Sequence, residues 1–425
     1  MRLVADLIYV LLLLLTLPVW LVRLLVTGKI RTDWPARFGR AAALPPHDAP
    51  TVLLHAVSVG EVNALRHLVP ILRAHPDRPR VVIACTTDTG LARARELFGV
   101  EHAIVRFPLD FSFAVRRFLR AINPAVVALV ELEVWPTFVA LCTRRGIPVC
   151  VINGRLSERS IGRYRRIRWL LRSTFARLAA VAAQNESYAA RFVEMGVPAD
   201  RVRVTDTMKW DAATIADDVP GAAALAESMG IDRSRPLVVG GSTEPVEHRL
   251  LHEATPSGVQ LLCAPRRPEW FDDAARDLPG CARRSKGDRG SPTGRFLLDT
   301  IGELRQAYAL ADVVVVGRSF GELHGSDMME PVALGRATIV GPRVDDFRET
   351  VAALLKGGGI IQTDAAGLPG VIRSLLDDPL ARAQLAERGR TVVRRRQGAS
   401  ARHAALILSL AKNGPGSSWE IDHHA

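Results

Sequence analysis

Short apolar runs that alternate with helical stretches constrain the fold of this chain more than any other feature of its sequence. Thr51–Ser58 is such a run, and helical periodicity follows over Val62–Ala74. The later runs of this first series are Val81–Thr86, Ala125–Val130, Ile147–Ile152 and Val202–Thr205. Short β-rich runs separated by helices of about 10–15 residues predict parallel strands joined by crossover helices.

A second series of the same kind begins after a break near Asp211–Gly221. Its apolar runs are Pro236–Gly240, Gln260–Ala264, Phe296–Leu298, Asp312–Val316 and Ala337–Val340. The 425 residues suit two domains of roughly 150–200 residues better than one. We therefore predict two Rossmann-like α/β domains, 31–212 and 222–412. The stretch from Pro379 to about Lys412 is predicted to be helical, and 413–425 to be a disordered tail.

The N-terminus carries a long uncharged apolar run, Leu7–Val22. It is somewhat shorter than the roughly 20 residues that span a bilayer, but Arg23 can snorkel and let a helix extend to Val26. A buried core helix and a cleaved signal peptide are the alternatives, although no small-residue cleavage site follows. We predict a membrane anchor over 1–30 that spans or lies in one leaflet. Basic residues accumulate after it, which places the body of the chain in the cytoplasm.

Charge and cysteine content narrow the class of partner. Lys and Arg outnumber Asp and Glu by 56 to 44, which favours nucleic acid, an acidic membrane surface or phosphorylated substrates. The most basic stretch contains only Tyr164 and Trp169 as aromatics, which argues against nucleic acid. The five cysteines form no CxxC pair and indicate buried free thiols. Because no Cys/His cluster has ligand spacing, we predict neither a metal nor another cofactor.

The segment His55–Glu61 ends the first apolar run and places a carboxylate at a strand-to-helix turn. Ser58 ends the predicted strand, Gly60 allows a tight turn, and Glu61 opens the helix. Since ligands of parallel sheets bind beyond the carboxyl ends of the strands, this carboxylate would stand in a cleft that the two domains face. Interaction of Glu61 with the helix dipole alone explains the pattern equally well.

Two further groups follow strands of the first domain. Glu131 and Glu133 come directly after Ala125–Val130, where they could bind substrate, orient a neighbour or cap the next helix. Arg155 and Arg159 follow the fourth run and precede an arginine-rich helix. Such a basic surface suits lipid phosphates or anionic headgroups, and a solvated charged face is the alternative.

The second domain has its polar segments at corresponding places. Ser242 and Thr243 lie in a Gly-rich turn whose amides could reach an anion at a helix N-terminus. Pro265 and Arg266 follow the next strand and supply a fixed guanidinium group. Glu330 ends the segment Ser326-Asp327-Met328-Met329-Glu330, and a carboxylate there can accept both hydroxyls of a ribose.

Taken in order, the motifs HAVSVGE, ELEVWP, NGRLSERS, AAQNE, GSTE, PRRPE, DTIGEL and MEP resemble one family. With the N-terminal anchor they are similar to the 3-deoxy-D-manno-octulosonic acid (Kdo) transferases of lipid A biosynthesis, from the anchor to about Gly358. The resemblance implies a two-domain GT-B fold. It also implies transfer of Kdo from CMP-Kdo to a lipid A precursor at the cytoplasmic face of the inner membrane.

Site roles follow from the same resemblance. It makes Glu61 the general base. Our own hypothesis for the mechanism is an inverting direct displacement, with Arg266 and amides near Gly302 stabilising the leaving phosphate. The donor contacts that it implies are Pro265, Arg266, Ile301, Gly302, Glu303, Asp327, Met328, Met329 and Glu330. Candidates for acceptor binding or for support of the site are Ser58, Gly60, Glu131, Glu133, Arg155, Arg159, Ser242 and Thr243.

One region departs from the family pattern. Where the family usually has Gly-Gly-His-Asn, this chain has His324-Gly325-Ser326-Asp327. An acid beside a cytidine phosphate repels it unless a cation intervenes. Another acidic sugar, or a UDP-linked sugar, therefore stays open as the donor. The non-enzymatic alternative is a membrane-tethered binder of polyanions, and the shortage of aromatics on the basic stretch disfavours it.

Overall fold

The computed structural model describes residues 32–414, which form two compact units. The first unit contains the described residues up to Ala212 together with those from Gln397 onward, and the second unit runs from Ala213 to Arg396. Each unit has one seven-stranded sheet in which all neighbouring strands are parallel. The prediction of two parallel α/β domains is confirmed.

Both chain ends extend past the described residues. The predicted anchor over 1–30, and the predicted tail from 415 onward, lie outside them. Between residues 32 and 414, no helix combines the length and the apolar character that crossing a bilayer requires.

The sheet of the first unit has the order β3-β2-β1-β4-β5-β6-β7. Its strands are β1 (Thr51–Ala56), β2 (Arg80–Cys85), β3 (Ala103–Arg106), β4 (Val126–Val130), β5 (Val149–Gly154), β6 (Ala180–Ala183) and β7 (Val202–Val204). The order reverses between β1 and β4, because β2 and β3 lie on one side of β1 and the later strands on the other. A crevice therefore opens beyond the carboxyl ends of β1 and β4, where parallel α/β sheets bind ligands.

Helices cover both faces of this sheet. They are α1 (Trp34–Arg37), α2 (Val59–Ala74), α3 (Asp88–Phe98), α4 (Ser112–Ile122), α5 (Pro136–Arg144), α6 (Glu158–Arg166), α7 (Arg168–Phe175) and α8 (Glu186–Met195). Consecutive residues of a strand point to opposite faces, so Leu53 belongs to the apolar cluster with Phe118, and Leu54 to the other cluster with Leu65. Because both faces are covered, the central strands are apolar throughout, which is why the sequence pattern identified them.

The second unit repeats the architecture with the order β10-β11-β9-β8-β12-β13-β14. Its strands are β8 (Leu237–Thr243), β9 (Gln260–Pro265), β10 (Ala282–Arg283), β11 (Arg295–Leu297), β12 (Val313–Val316), β13 (Ala337–Val340) and β14 (Ile361–Gln362). Its helices are α9 (Ala222–Met229), α10 (Pro245–Ala254), α11 (Phe271–Asp277), α12 (Leu304–Leu310), α13 (Met329–Ala333), α14 (Arg348–Lys356), α15 (Leu368–Asp377) and α16 (Pro379–Arg396). Here the order reverses between β8 and β12.

The C-terminal helical region differs from the prediction in two ways. It is two helices, because α16 ends at Arg396 and α17 (Ala399–Asn413) begins after Gly398, whose φ of 93° only glycine adopts easily. The second helix also belongs to the first unit and not to the second domain as predicted. The reason is its apolar face, which includes Leu406 and Ile407 and is buried in the same cluster as the inner face of α2. Asn413 ends this helix and is not part of a disordered tail.

Candidate active site

Glu61 lies in the first turn of α2, at the carboxyl end of β1. Ser58 caps the helix, and its Oγ accepts a hydrogen bond from the Glu61 N–H at 3.4 Å. The Glu61 carboxylate turns back, so that Oε2 accepts the Val57 N–H at 2.7 Å and Oε1 accepts the Ser58 hydroxyl at 3.1 Å. Glu61 therefore does take part in capping, and these contacts also fix its carboxylate in one position beside the crevice.

Burial makes Glu61 easy to protonate. The pKa of Glu61 is raised from 4.5 to about 7, chiefly by burial and to a smaller extent by the negative charges of Glu131 and Glu133, while the hydrogen bond from the Val57 N–H opposes the shift. A carboxylate that titrates near neutral pH is well matched to proton transfer. Perturbed groups of this kind cluster in functional sites.

Gly60 does not serve the purpose that the sequence suggested. The helix already begins at Val59, Gly60 lies within its first turn, and its φ is not in the left-handed region. A Cβ at this position would meet only the Ser58 Oγ, at 3.8 Å. The tight-turn argument is therefore wrong, and the missing side chain instead leaves the space above the N-terminus of α2 open.

Glu131 and Glu133 follow β4, the neighbour of β1, and the structure brings both near Glu61. Glu131 has a left-handed backbone with φ 61°, which is uncommon for a residue with a side chain and is typical of functional loops. Burial raises the pKa of Glu131, while Arg155 and Lys209 oppose this rise. Burial also raises the pKa of Glu133, whose Oε2 accepts the Trp135 Nε1–H at 3.0 Å.

Two cations act on Glu131, and the sequence predicted only one of them as a site residue. Arg155 was predicted and lies close enough to Glu131 to lower its pKa. Lys209 acts on Glu131 in the same way but was not predicted, because it follows a short edge strand in a segment without a clear pattern. The predicted Arg159 is exposed on α6, and no described contact joins it to Glu61.

A pair of arginines that binds the loop after β2 was also not predicted. The Thr87 hydroxyl donates to the Val57 carbonyl at 2.6 Å, one peptide from the Glu61 contact. The preceding Thr86 carbonyl accepts from Arg106 at 3.1 Å and from Arg37 at 3.4 Å. These residues converge only through tertiary packing, so no local motif marks them.

In the second unit, the end of β8 lies at the carboxyl edge of the sheet. Ser242 has a left-handed φ of 56°, and Thr243 is buried with its hydroxyl 3.0 Å from His248 Nε2. Gly241 must lack a side chain, because a Cβ there would collide with the Tyr308 hydroxyl. That hydroxyl forms a hydrogen bond with Ser242.

The predicted donor residues fall into two groups around α12. Around Tyr308, which α12 carries, lie Arg266, Asp327 and Glu330, since all three act electrostatically on its hydroxyl. Ile301, Gly302 and Glu303 precede α12 in a loop in which the first two are exposed and Glu303 is partly buried. Their position places them at the same edge of the sheet as Arg266.

Individual members of these groups differ in what they offer a ligand. Pro265 ends β9 and is buried, and Arg266 is exposed. Ile301 is 73% exposed, and Gly302 has φ 99°. Glu303 is held by Arg284 at 2.9 Å and by the Thr300 hydroxyl at 2.5 Å.

The segment that ends at Glu330 is anchored mainly by its own residues. Met328 and Met329 are 1% and 3% exposed, so their side chains belong to the core and only their backbone can meet a ligand. Asp327 is exposed, and its Oδ1 accepts the Met329 N–H at 2.8 Å. Glu330 lies 3.4 Å from Arg305, and burial raises the pKa of its carboxyl, with a further rise from Asp327.

Between residues 32 and 414, no group of three or more His, Cys, Asp or Glu side chains is arranged so that it could hold a metal ion.

Comparisons with known proteins point to one family. Residues 32–212 match the family model described as 3-deoxy-D-manno-octulosonic-acid transferase (kdotransferase). The chain is 34% identical over 397 residues to the 3-deoxy-D-manno-octulosonic acid transferase of Bordetella pertussis, covering 87% of this chain and 89% of that protein. It is 29% identical over 386 residues to the enzyme of the same description from Haemophilus influenzae, covering 87% and 88%.

Similar solved structures include two of much lower identity. HepE from Anabaena in complex with UDP superposes with a TM-score of 0.56 at 14% identity, covering 84% of this chain and 99% of that one. A glycosyltransferase from Rickettsia africae gives a TM-score of 0.55 at 10% identity, covering 86% and 100%. Such likeness concerns the fold alone, and it is consistent with the GT-B class.

Proposed function

We propose that this chain, which belongs to the 3-deoxy-D-manno-octulosonic acid transferase family, transfers Kdo from CMP-Kdo to a lipid A precursor. Family membership follows from 34% identity to the Bordetella pertussis enzyme over nearly its whole length. The observation that carries the chemistry is Glu61, a fixed carboxylate with a pKa of about 7 at the crevice of the first unit.

In the proposed reaction, a hydroxyl of the acceptor attacks the anomeric carbon of Kdo. Glu61 Oε1 or Oε2 takes the hydroxyl proton, the new bond to the anomeric carbon forms, and CMP leaves with the electrons of the broken carbon–oxygen bond. A single displacement inverts the configuration, and no second nucleophile is needed. Glu61 is suited to this step because burial raises its pKa, so that the ionised carboxylate readily accepts a proton.

The donor side is assigned to the second unit. We place the CMP phosphate near the Arg266 guanidinium and the amides around Gly302, where positive charge and N–H groups can stabilise the leaving group. Glu330 can accept both ribose hydroxyls. Its burial and its ion pair with Arg305 hold the carboxylate in place for that role.

A direct assay tests this function. Purified full-length protein is supplied with CMP-Kdo generated in situ and with tetra-acylated lipid A precursor, and the lipid is analysed by mass spectrometry. We expect a mass increase of one or more Kdo units, and the size of the increase also gives the number transferred. Lipid that stays unmodified with CMP-Kdo but gains a sugar from a UDP-linked donor would contradict the assignment. UDP-linked sugars are included in the assay because the exposed Asp327 keeps that class of donor open.

We further propose that the enzyme works at the inner membrane with its two units on the cytoplasmic side. The predicted anchor supports this, and so does the exposed surface of α6 and α7. There Ile167, Trp169 and Leu170 are 45%, 81% and 51% exposed, and arginines surround them. Exposed aromatic and aliphatic side chains flanked by arginines are typical of surfaces that lie in the headgroup region of a bilayer.

Replacing both Trp169 and Leu170 with alanine tests this surface. With acceptor embedded in anionic phospholipid vesicles, we expect the acceptor KM to rise at least tenfold, because full burial of even one large apolar side chain contributes roughly 1.5–3 kcal/mol and two such side chains are removed. With acceptor in detergent micelles the variant should match the parent. Val100→Ala serves as the control, since Val100 is 98% exposed beyond the end of α3. Equal KM values for both variants in vesicles would contradict the proposal.

A further inference from the structure

Glu247 is a buried carboxylate that the proposed chemistry does not use. It lies in the first turn of α10, directly after β8, and is 1% exposed. Its Oε2 accepts the N–H groups of Glu244 at 2.9 Å and of Arg318 at 2.8 Å. Its Oε1 accepts those of Ser319 at 2.9 Å and Phe320 at 3.1 Å. All four contacts require an oxygen acceptor, so the ionised carboxylate fits the geometry.

Three of these donors are consecutive residues of the loop after β12. Successive backbone N–H groups that converge on one point form a concave anion site, and in this loop the protein's own carboxylate fills it. Arg318 has a left-handed φ of 58°, which turns the loop around Glu247. At Gly317 a Cβ would lie 2.5 Å from the Thr243 Cα and 2.7 Å from Glu247 Oε2, so the two chain segments are in the closest possible contact.

The residue that caps α10 lies next to a later part of the same loop. Burial raises the pKa of the Glu244 carboxyl, and the neighbouring backbone N–H groups of Gly321 and Leu323 oppose this rise. The Ser319 hydroxyl then donates to the Val316 carbonyl at 2.6 Å and accepts the Gly341 N–H at 2.8 Å. The loops after β8, β12 and β13 are thereby joined at the carboxyl edge of the sheet, immediately before the segment that ends in Glu330.

We propose that Glu247 is a positioning residue for the donor: it holds the 318–323 loop so that the following Asp327–Glu330 segment and the Arg318 guanidinium meet the sugar nucleotide. This inference rests on the proposed function. The physical reason is that β8 and β12 flank the point where the strand order reverses, which is where ligands of such sheets bind. A loop that is fixed before the donor arrives does not have to be ordered when it binds.

Glu247→Gln tests the role with little change in volume. An amide has only one oxygen, so it can accept hydrogen bonds from only some of the four N–H groups. Its NH₂ group is itself a donor and would point at the remaining N–H donors. We expect the KM for CMP-Kdo to rise about tenfold or more, the order of effect for unsatisfied buried donors, with an unchanged acceptor KM and a kcat within a few-fold of the parent. The matched control is Glu253→Gln in the same helix, because Glu253 is exposed and pairs with Arg249. It should change neither KM.

The outcomes separate this inference from the proposed function. If the parent protein transfers no Kdo, the function fails. If the parent is active and Glu247→Gln leaves the donor KM unchanged, or raises both KM values equally, the positioning role fails. Should the variant not fold, hydrogen exchange of the parent decides. The amides of Arg318, Ser319 and Phe320 should be protected like strand amides, and exchange at the rate of an open loop would overturn the proposal.

Discussion

Replacing Glu61 with glutamine is expected to lower kcat by about 10²–10⁴-fold, the usual loss when a general base is removed. Glutamine keeps the shape of the side chain, and its oxygen can still accept the Val57 N–H while its amide donates to Ser58, so the capping of α2 survives. It cannot take a proton from the acceptor hydroxyl. The donor KM should stay within a few-fold of the parent, since Glu61 belongs to the first unit and the donor residues to the second.

The measurement is steady-state transfer with both substrates varied, and it needs a control of equal charge change. Glu96→Gln is suitable, because Glu96 is an exposed residue of α3 that pairs with Arg93. It should retain full turnover. A Glu61→Gln protein with more than a tenth of the parental kcat would exclude the assignment of the base.

The pH dependence of the parent enzyme gives an independent test of the same carboxylate. A base must be deprotonated, so kcat/KM should fall as the pH drops through about 7. The stability of the fold changes with pH in the opposite direction to the activity. Because the folded pKa of about 7 lies above the ordinary 4.5, ionisation opposes folding as the pH rises between these values. Glu61→Gln should therefore raise the melting temperature at pH 8 more than at pH 5, while activity is lost.

The fold could be predicted from the sequence wherever strands are buried on both faces. The central strands β1, β4, β8 and β12 are continuous apolar runs, and each was identified. The strands that were missed have other compositions. Strand β3 is only partly buried, β6 is built mostly of alanine, and β10 and β14 have two residues each at the edges of their sheet. None of these four strands has a hydrophobic pattern by which the sequence alone identifies a strand.

The residues of the candidate site likewise fall into those that the sequence could predict and those that it could not. Glu61 and Glu131 could be proposed because each follows an apolar run, and the strand order then brings their loops together. Glu247 could not be assigned its contacts, since three of its four N–H partners lie more than 70 residues further along the chain. The burial of Met328 and Met329 was equally hidden, because only tertiary packing decides which residues of a short segment face the core.

Replacing Arg266 with alanine should lower kcat/KM for CMP-Kdo by about 10²–10³-fold, the range found when a fixed charge-stabilising donor is removed. The Arg266 N–H donates to the Thr243 carbonyl at 3.0 Å, which fixes the start of this side chain beside the loop after β8. Its guanidinium is close enough to Asp327 and Glu330 that all three act electrostatically on the Tyr308 hydroxyl. Without Arg266, those two carboxylates would repel the donor phosphate. We therefore expect weaker donor binding and slower departure of the leaving group.

Two companion variants make this prediction specific. Arg267→Ala is the matched control, because the Arg267 guanidinium lies 5.0 Å from the Trp270 ring centroid and 3.5 Å from Glu269. It should leave kcat/KM within a few-fold of the parent. Asp327→Asn, combined with Arg266→Ala, should recover part of the lost activity, since one of the repelling charges is gone while the amide oxygen can still accept the Met329 N–H. Equal losses in the two arginine variants would show that Arg266 does not meet the phosphate, and no recovery in the double variant would show that Asp327 lies apart from it.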